Sequence, residues 1–429
     1  MSKPGERYPR PNLHAKRPRA MTEYSSELMR LYEARGHIYQ ATDAAGLDAL
    51  AAKESITGYI GFDCTGPSLH VGSLVQIMTL RRLQQTGHKP IVIMGGGTTK
   101  IGDPSDKTEA RPMLDDAAIE ANKASILRIF EKYLTFGDGP TDAIMVDNAD
   151  WLDDLKYIPF LREVGRHFSI NRMLTLDAVK QRLDREQSLS FLEFNYMILQ
   201  AYDFVELNRR FGCRVQFGGS EQWSNIVAGI DIARRMESVE LFGLTSPLVT
   251  TADGAKMGKT VDGAVWLLED YLPAYDYWQF WRNTHDADVG RFLRLFTELS
   301  EDEIARLESL EGAELNEAKK ILANEATAMA HGEDAARDAA ETAQKTFEQG
   351  SVGEDLPSLS VESGEIALLD AMVELGLVAS KGEARRLIRG GGARIDGEKV
   401  DDEGASVAVG DEPVRISAGK KKHGVLVRA

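Results

Sequence analysis

Tyr59-Ile60-Gly61-Phe62-Asp63-Cys64-Thr65-Gly66-Pro67-Ser68-Leu69-His70-Val71-Gly72-Ser73 joins an apolar run to a helical one across a turn. Residues 58–62 have the continuous apolar character of a buried strand, and residues 74–85 the pattern of a helix. A turn between the two offers free backbone N–H groups and the positive end of a helix dipole to a phosphate. His70 can donate there to a pentavalent phosphorus centre, and Gly72 lets a flat ring approach the backbone. An ordinary strand–turn–helix with a surface histidine fits the segment equally well when it is taken alone.

Outward from this point the α/β pattern continues. Further strands are expected over residues 90–94, 143–146 and 214–217, each bounded by turn residues. Strands alternating with helices imply crossover units and a parallel sheet of Rossmann-like type, which binds ligands at the carboxyl ends of its strands. Residues 265–348 read as mostly helical. Residues 351–364 mix Gly, Pro, Ser and acids as linkers do, and residues 365–429 form a small α+β module. The expected domains are a disordered basic arm over 1–30, a catalytic domain over 31–260, a helical domain over 261–350, a linker over 351–364 and the module over 365–429.

At 429 residues the chain is too long for one core. It carries no apolar run near the roughly 20 residues that span a bilayer. Two cysteines cannot build a disulfide framework, and a reducing cytoplasm fits best. The net charge of −16 opposes indiscriminate nucleic-acid binding, so basic patches have to be local.

A second motif lies far downstream. Lys256-Met257-Gly258-Lys259-Thr260 places two lysines three residues apart on a Gly-containing loop, able to close over a triphosphate. The two segments resemble the HIGH and KMSKS signatures of class I aminoacyl-tRNA synthetases. Residues 59–63, Ile101-Gly102-Asp103-Pro104-Ser105, Tyr196-Met197-Ile198-Leu199-Gln200-Ala201-Tyr202-Asp203 and Gly218-Gly219-Ser220-Glu221-Gln222-Trp223 narrow the resemblance to bacterial-type tyrosyl-tRNA synthetases. It covers roughly residues 30 to 429. The chain departs from the family pattern at Ser73 in place of a second histidine, at KMGKT, and at Glu221 where aspartate is usual.

One part of the site is legible from spacing alone. Tyr196, Gln200 and Asp203 fall at i, i+4 and i+7 of an apolar helix expected over 191–208, hence on one face. Polar groups on a core-facing stripe need partners. A polar ligand would supply them, and so would an internal network.

The resemblance implies a tyrosine–tRNA ligase acting in two steps, with ATP and Mg²⁺ as co-substrate and no tightly bound cofactor or structural metal. It implies that Asp203 and Tyr59 hold the phenolic hydroxyl of tyrosine. Tyr196, Gln200 and Asp103 would hold the α-ammonium group, with Gln222 in the same pocket. His70, Lys256, Lys259 and Thr65 would act on the phosphates, and Asp63, Gly72, Ser73, Lys259 and Thr260 would bind ATP. Lys107 and Arg111 resemble loop cations for pyrophosphate or the tRNA end, although a solvated loop fits them too. The C-terminal module resembles an S4 RNA-binding domain. Its Lys381, Arg385, Arg386 and Arg389 fall on one helix face after Ser380, and its 11 Lys plus Arg balance 11 Asp plus Glu. tRNA(Tyr), L-tyrosine, ATP and a second copy of the chain are the expected partners, with apolar helices between Ile158 and Leu176 as a dimer face. A tryptophanyl-tRNA synthetase and a non-catalytic RNA-binding protein on the same fold are the competing expectations.

Overall fold

The computed structural model describes residues 23–103, 113–252, 254, 257–260, 263–345, 357–361, 364–410, 413–419 and 422–428. The chain divides into two compact units. The first takes in the described residues up to Pro67 together with Ser73–Val249, and the second takes in Ser68–Gly72 and the described residues from Thr250.

The first unit is built on a six-stranded sheet of β1 (Gln40–Ala41), β2 (Thr57–Phe62), β3 (Lys89–Met94), β4 (Ile144–Asp147), β5 (Val215–Gly219) and β6 (Phe242–Ser246). Its strand order is β1-β6-β5-β2-β3-β4, parallel throughout except for the short antiparallel edge strand β1. Every residue of β5 and all but the first of β3 are buried. Strands covered on both faces need such unbroken apolar runs. From β2 the chain builds outward through β3 and β4, then returns to the other side of β2 for β5 and β6. The β2–β5 boundary is therefore the switch point, outside whose carboxyl ends a crevice forms.

Four helices flank this point: α1 (Leu74–Gln85), α2 (Asp116–Tyr133), α3 (Phe191–Phe211) and α4 (Trp223–Glu237). Helix α3 starts where Ser190 and Glu193 form a reciprocal capping box. Its buried face includes Tyr196, Met197, Ile198, Ala201 and Asp203.

The basic arm ends earlier than the sequence suggested. Residues 27–30 belong to a helix, Glu27–Ala34, capped by the Ser26 hydroxyl and burying Leu28, Met29 and Tyr32. Apolar burial at helical spacing outweighs the neighbouring basic composition. Residues 1–22 lie outside the described residues.

The second unit begins at residue 250 rather than after 260, and within it residues 265–268 pair with Ser68–Val71. Helices Ala274–Arg282, Val289–Phe296, Glu301–Glu308, Leu315–His331 and Glu333–Ala343 follow. Trp281 packs there against Phe292 and Phe296 at ring-centroid distances of 5.9 and 5.1 Å.

The C-terminal module has a five-stranded sheet in the order Glu398–Lys399, Ala393–Ile395, Val414–Ala418, Lys422–Arg428 and Ser358–Val361. Helices Leu368–Glu374 and Lys381–Arg389 contribute to its core. The first two strands of that sheet form a hairpin with a two-residue turn at Asp396-Gly397 in which both φ values are positive. The expected linker over 351–364 is too long. Residues 358–361 form a strand parallel to Lys422–Arg428 with Val361 buried, so Leu359 and Val361 outweigh the Pro and Ser around them.

His37 gives the first unit a pH dependence. Its Nδ1 lies 3.0 Å from the Thr79 hydroxyl, which itself donates to the Val75 carbonyl at 2.9 Å. His37 Nδ1–H must therefore be the donor, leaving a buried Nε2 with no partner among the described residues. Burial, with Arg82 and Arg35 nearby, lowers its pKa to about 3. The unfolded chain binds this proton below pH 6.5 and the folded chain does not, so stability falls as pH falls from 6.5 toward 3. Between pH 7 and pH 5 the natural chain should lose about 2 kcal/mol more than His37→Gln, read from unfolding midpoints at the two pH values. Equal losses would dismiss His37 as the source.

Candidate active site

The crevice of the first unit is polar at its base. Tyr59, from the middle of β2, is 2% exposed, and its hydroxyl has no hydrogen-bond partner among the described residues. Asp203 arrives from α3 and is 3% exposed. It accepts from Asn148 Nδ2 at 3.0 Å and from Trp151 Nε1 at 2.8 Å. The second Asn148 N–H goes to Thr98 Oγ1 at 3.1 Å, and the Thr98 hydroxyl donates to Asp63 Oδ1 at 2.8 Å. Tyr196 closes the sequence by donating to Asp63 Oδ2 at 3.1 Å. Asn148 and Thr98 thus link Asp203 to Asp63, the residue directly after β2.

A second network opens onto a neighbouring cavity lined in part by Asp103, Glu193, Tyr196, Glu221 and Asn225. Gln222 donates to Asp103 at 3.1 Å, Gln200 donates to Gln222 at 3.2 Å, and Asn225 donates to both glutamines. The sequence reading therefore placed Tyr196, Gln200 and Asp203 correctly on one helix face, and the structure brings Asp63, Asp103 and Gln222 to the same crevice. Asn148, Trp151, Thr98 and Asn225 were missed. The first two lie within the segment 147–151 that follows the expected strand over 143–146, at the end where such sheets bind ligands, and that position was the available signal.

Burial raises the Asp203 pKa to about 7. The hydrogen bonds from Asn148 and Trp151 pull it down, and Asp63 and Asp147 push it up again. Burial likewise holds the Tyr59 and Tyr196 phenols well above their ordinary range. Such a base can present an ionised carboxylate to a hydrogen-bond donor at neutral pH while remaining dry.

Ser68–Gly72 belongs to the second unit. Val71 N–H donates to the Val265 carbonyl and Leu267 N–H to that of Leu69, each at 2.9 Å. His70 Nδ1 accepts from the Gly72 N–H at 3.0 Å, so in neutral His70 the ring hydrogen sits on Nε2. The two motifs meet here. A Cβ on Gly72 would lie 2.7 Å from the Met257 carbonyl, so that position admits no larger residue without a shift. Lys259 and Thr260 form a short strand paired with Gly263–Ala264, and Lys256 lies outside the described residues, as do Lys107 and Arg111. Thr65 is exposed in the first unit, and Ser73 directly precedes α1 without a side-chain capping bond.

In the C-terminal module Lys381, Arg385, Arg386 and Arg389 are exposed on one helix. Lys381 pairs with Asp370, while Arg389 and, at 3.9 Å, Arg385 pair with Glu403. The stripe is present but partly neutralised by acids from other elements.

The family described as tRNA synthetases class I (W and Y) matches residues 51–348, and the family described as Tyrosine--tRNA ligase SYY-like C-terminal domain matches residues 346–425. A protein of Novosphingobium aromaticivorans named tyrosine--tRNA ligase is 68% identical over 409 residues, covering 95% of this chain and 100% of the relative. The chain belongs to the bacterial tyrosine–tRNA ligase family. A second member, from Zymomonas mobilis, is 69% identical over 406 residues and covers 95% of this chain and 99% of its own length. Among solved structures, a C-terminally truncated mitochondrial tyrosyl-tRNA synthetase of Aspergillus nidulans is 27% identical. It covers 75% of this chain and 94% of that one, with a TM-score of 0.68. The class I assignment and the parallel-sheet fold expected from the sequence are thereby met. Among the described residues no helix is long and apolar enough to cross a membrane.

Trp151→Phe keeps an aromatic ring, though a smaller one, and removes one donor to Asp203. The Asp203 pKa should rise from about 7 by about one unit, followed by carboxyl carbon NMR on aspartate-labelled protein. The folded chain holds this proton more tightly than an unfolded aspartate at 3.8. The associated stability therefore declines as pH rises from about 4 to about 7, and in the variant the decline should extend to higher pH. An unmoved titration would show that the indole N–H does not act on the carboxylate.

Proposed function

We propose that this chain is a tyrosine–tRNA ligase that activates L-tyrosine with ATP and transfers it to the 3′ end of tRNA(Tyr). Asp203 carries the reading: a buried carboxylate near a Tyr59 hydroxyl that has no partner among the described residues suits a phenol far better than an apolar ring. Asp203 accepts the phenolic O–H, and Tyr59 offers the second hydrogen bond. Tyr196, Asp103, Gln200 and Gln222 take the ammonium end, where the hydrogen bonds of Gln200 to Gln222 and of Gln222 to Asp103 hold acceptor oxygens near a cavity. Phenylalanine brings no phenolic O–H, so it would leave the buried Tyr59 hydroxyl without a partner and desolvate Asp203 without adding a donor, at a cost that separates the two amino acids.

In the first step a tyrosine carboxylate oxygen attacks the α-phosphorus of ATP. A new P–O bond forms as the bond to pyrophosphate breaks. In the second step a terminal ribose hydroxyl of tRNA attacks the activated carbonyl and releases AMP. Rate comes from positioning and charge stabilisation. His70, with its hydrogen on Nε2, serves as a donor to the phosphates together with Lys256, Lys259 and Thr65. Asp63, Gly72, Ser73 and Thr260 seat ATP. Mg²⁺ would accompany ATP as part of the co-substrate and would supply charge neutralisation at its phosphates.

The C-terminal helix Lys381–Arg389 meets tRNA phosphates, with Arg386 the cation for which no carboxylate partner is found among the described residues. Exposed Tyr157, Ile158, Ile170 and Leu174 support a homodimer face. Two buried free thiols accord with a cytoplasmic setting.

Asp203→Asn should raise the phenylalanine-to-tyrosine ratio in ATP–pyrophosphate exchange by about tenfold to a hundredfold, the worth of one to two unpaired buried groups. Tryptophan serves as the control substrate. An unchanged ratio would remove Asp203 from the side-chain pocket.

Ending the chain before residue 357, ahead of the strand Ser358–Val361, should leave exchange within about twofold and reduce tRNA charging by at least about tenfold, as loss of several phosphate contacts does. Parallel exchange and aminoacylation assays check this. Equal loss of both would make the module structural, and full charging would deny it a role with tRNA.

A further inference from the structure

Lys123 lies outside every role assigned above. It reaches from α2 to Asp147, the last residue of β4, and to Glu120 at 2.6 Å. The other Asp147 oxygen accepts the N–H of Gly96 at 3.0 Å and of Ala149 at 2.9 Å. Those amides open the short helices Gly96–Thr99 and Ala149–Leu152, and Thr98 and Trp151 sit on them, with Asn148 directly before the second. A Cβ at Gly96 would lie 2.3 Å from Asp147 Oδ1, so the carboxylate rests directly on that turn. The Lys123 and Asp147 side chains are only 20% and 15% exposed.

Several charged or titratable groups face Asp203. They are Tyr59 and Asp63 from β2 and its end, Asp147 from β4, and Tyr196 from its own helix. Arg210 lies with its guanidinium 5.1 Å from the centroid of the Trp151 ring that donates to Asp203. Three carboxylates thus surround one turn, and Lys123 is the cation paired with Asp147, with Glu120 as its other partner. We propose that Lys123 is a positioning residue for tyrosine selection, which neutralises Asp147 so that Asp203 stays ionised and accepts the phenolic O–H. This rests on the role given to Asp203 above. Asp203 already titrates near neutrality through burial, so an uncompensated Asp147 would press it toward the protonated form.

The test is the tyrosine KM and kcat in pyrophosphate exchange at pH 6.5 and 8.5. In Lys123→Met the KM should rise about tenfold at pH 6.5, the effect of a one-unit shift, and return to within about twofold at pH 8.5. The kcat should change by less than about twofold, since tyrosine binding rather than the phosphate chemistry is affected. Adding Asp147→Asn, which still accepts from Gly96 and Ala149, should restore the KM at pH 6.5. Lys123→Arg should keep the natural profile. A pH-independent KM change, or a double variant no better than Lys123→Met, would overturn the proposal in favour of a structural role. If Asp203→Asn leaves tyrosine selectivity untouched, the tyrosine-binding role itself fails. If selectivity changes there while Lys123→Met is silent, only the role of Lys123 fails.

Discussion

Asp203 is almost fully removed from water, and it accepts from Asn148 and Trp151, both supplied by the turn after β4. A buried carboxylate without such donors would be too costly to keep ionised. The fold is arranged around meeting that need. Parallel strands β2, β3 and β4 end at the same level, at Phe62, Met94 and Asp147, so Asp63 and Gly95, directly after the first two, converge with Asp147. Helix α3 crosses this level with Asp203 on its inner face. Moving the turn after β4 would release both donors together, and would also disturb Thr98 and Asp63 through Asn148.

The same arrangement explains which parts could be read from sequence. Tyr196, Gln200 and Asp203 share a face because helical spacing is a local property, and the strands declare themselves because both-face burial requires apolar runs. Asn148 and Trp151 carried no comparable signal. A polar residue after a strand is ordinary, and its value depends on β4 lying beside β3 and on α3 passing overhead. Residues 351–364 misled for a related reason. Their Pro and Ser content suggests a linker, but the strand at 358–361 is stabilised by a partner more than sixty residues downstream. At the other end, Ser26, Leu28, Met29 and Tyr32 already had the cap and spacing of a helix, and the basic composition before them obscured it.

The cationic face of the C-terminal helix shows the limit of reading charge along one element. The spacing of Lys381, Arg385, Arg386 and Arg389 was legible, whereas Asp370 and Glu403 come from other segments and reduce the net field. Exposed ion pairs of this kind are weak, so a polyanion can displace them.

Ser68–Gly72 is cut out of one compact unit and paired into the other, while the chain on either side stays behind. His70 consequently belongs to the same compact unit as Val265, Trp266 and Gly258, and not to that of Pro67 and Ser73. Modularity in this enzyme is therefore not a matter of contiguous segments. A chimera that exchanges the chain from residue 250 onward between two relatives would inherit one parent's histidine loop and the other parent's docking strand. Grafts that respect the structure have to carry those five residues as part of the C-terminal piece.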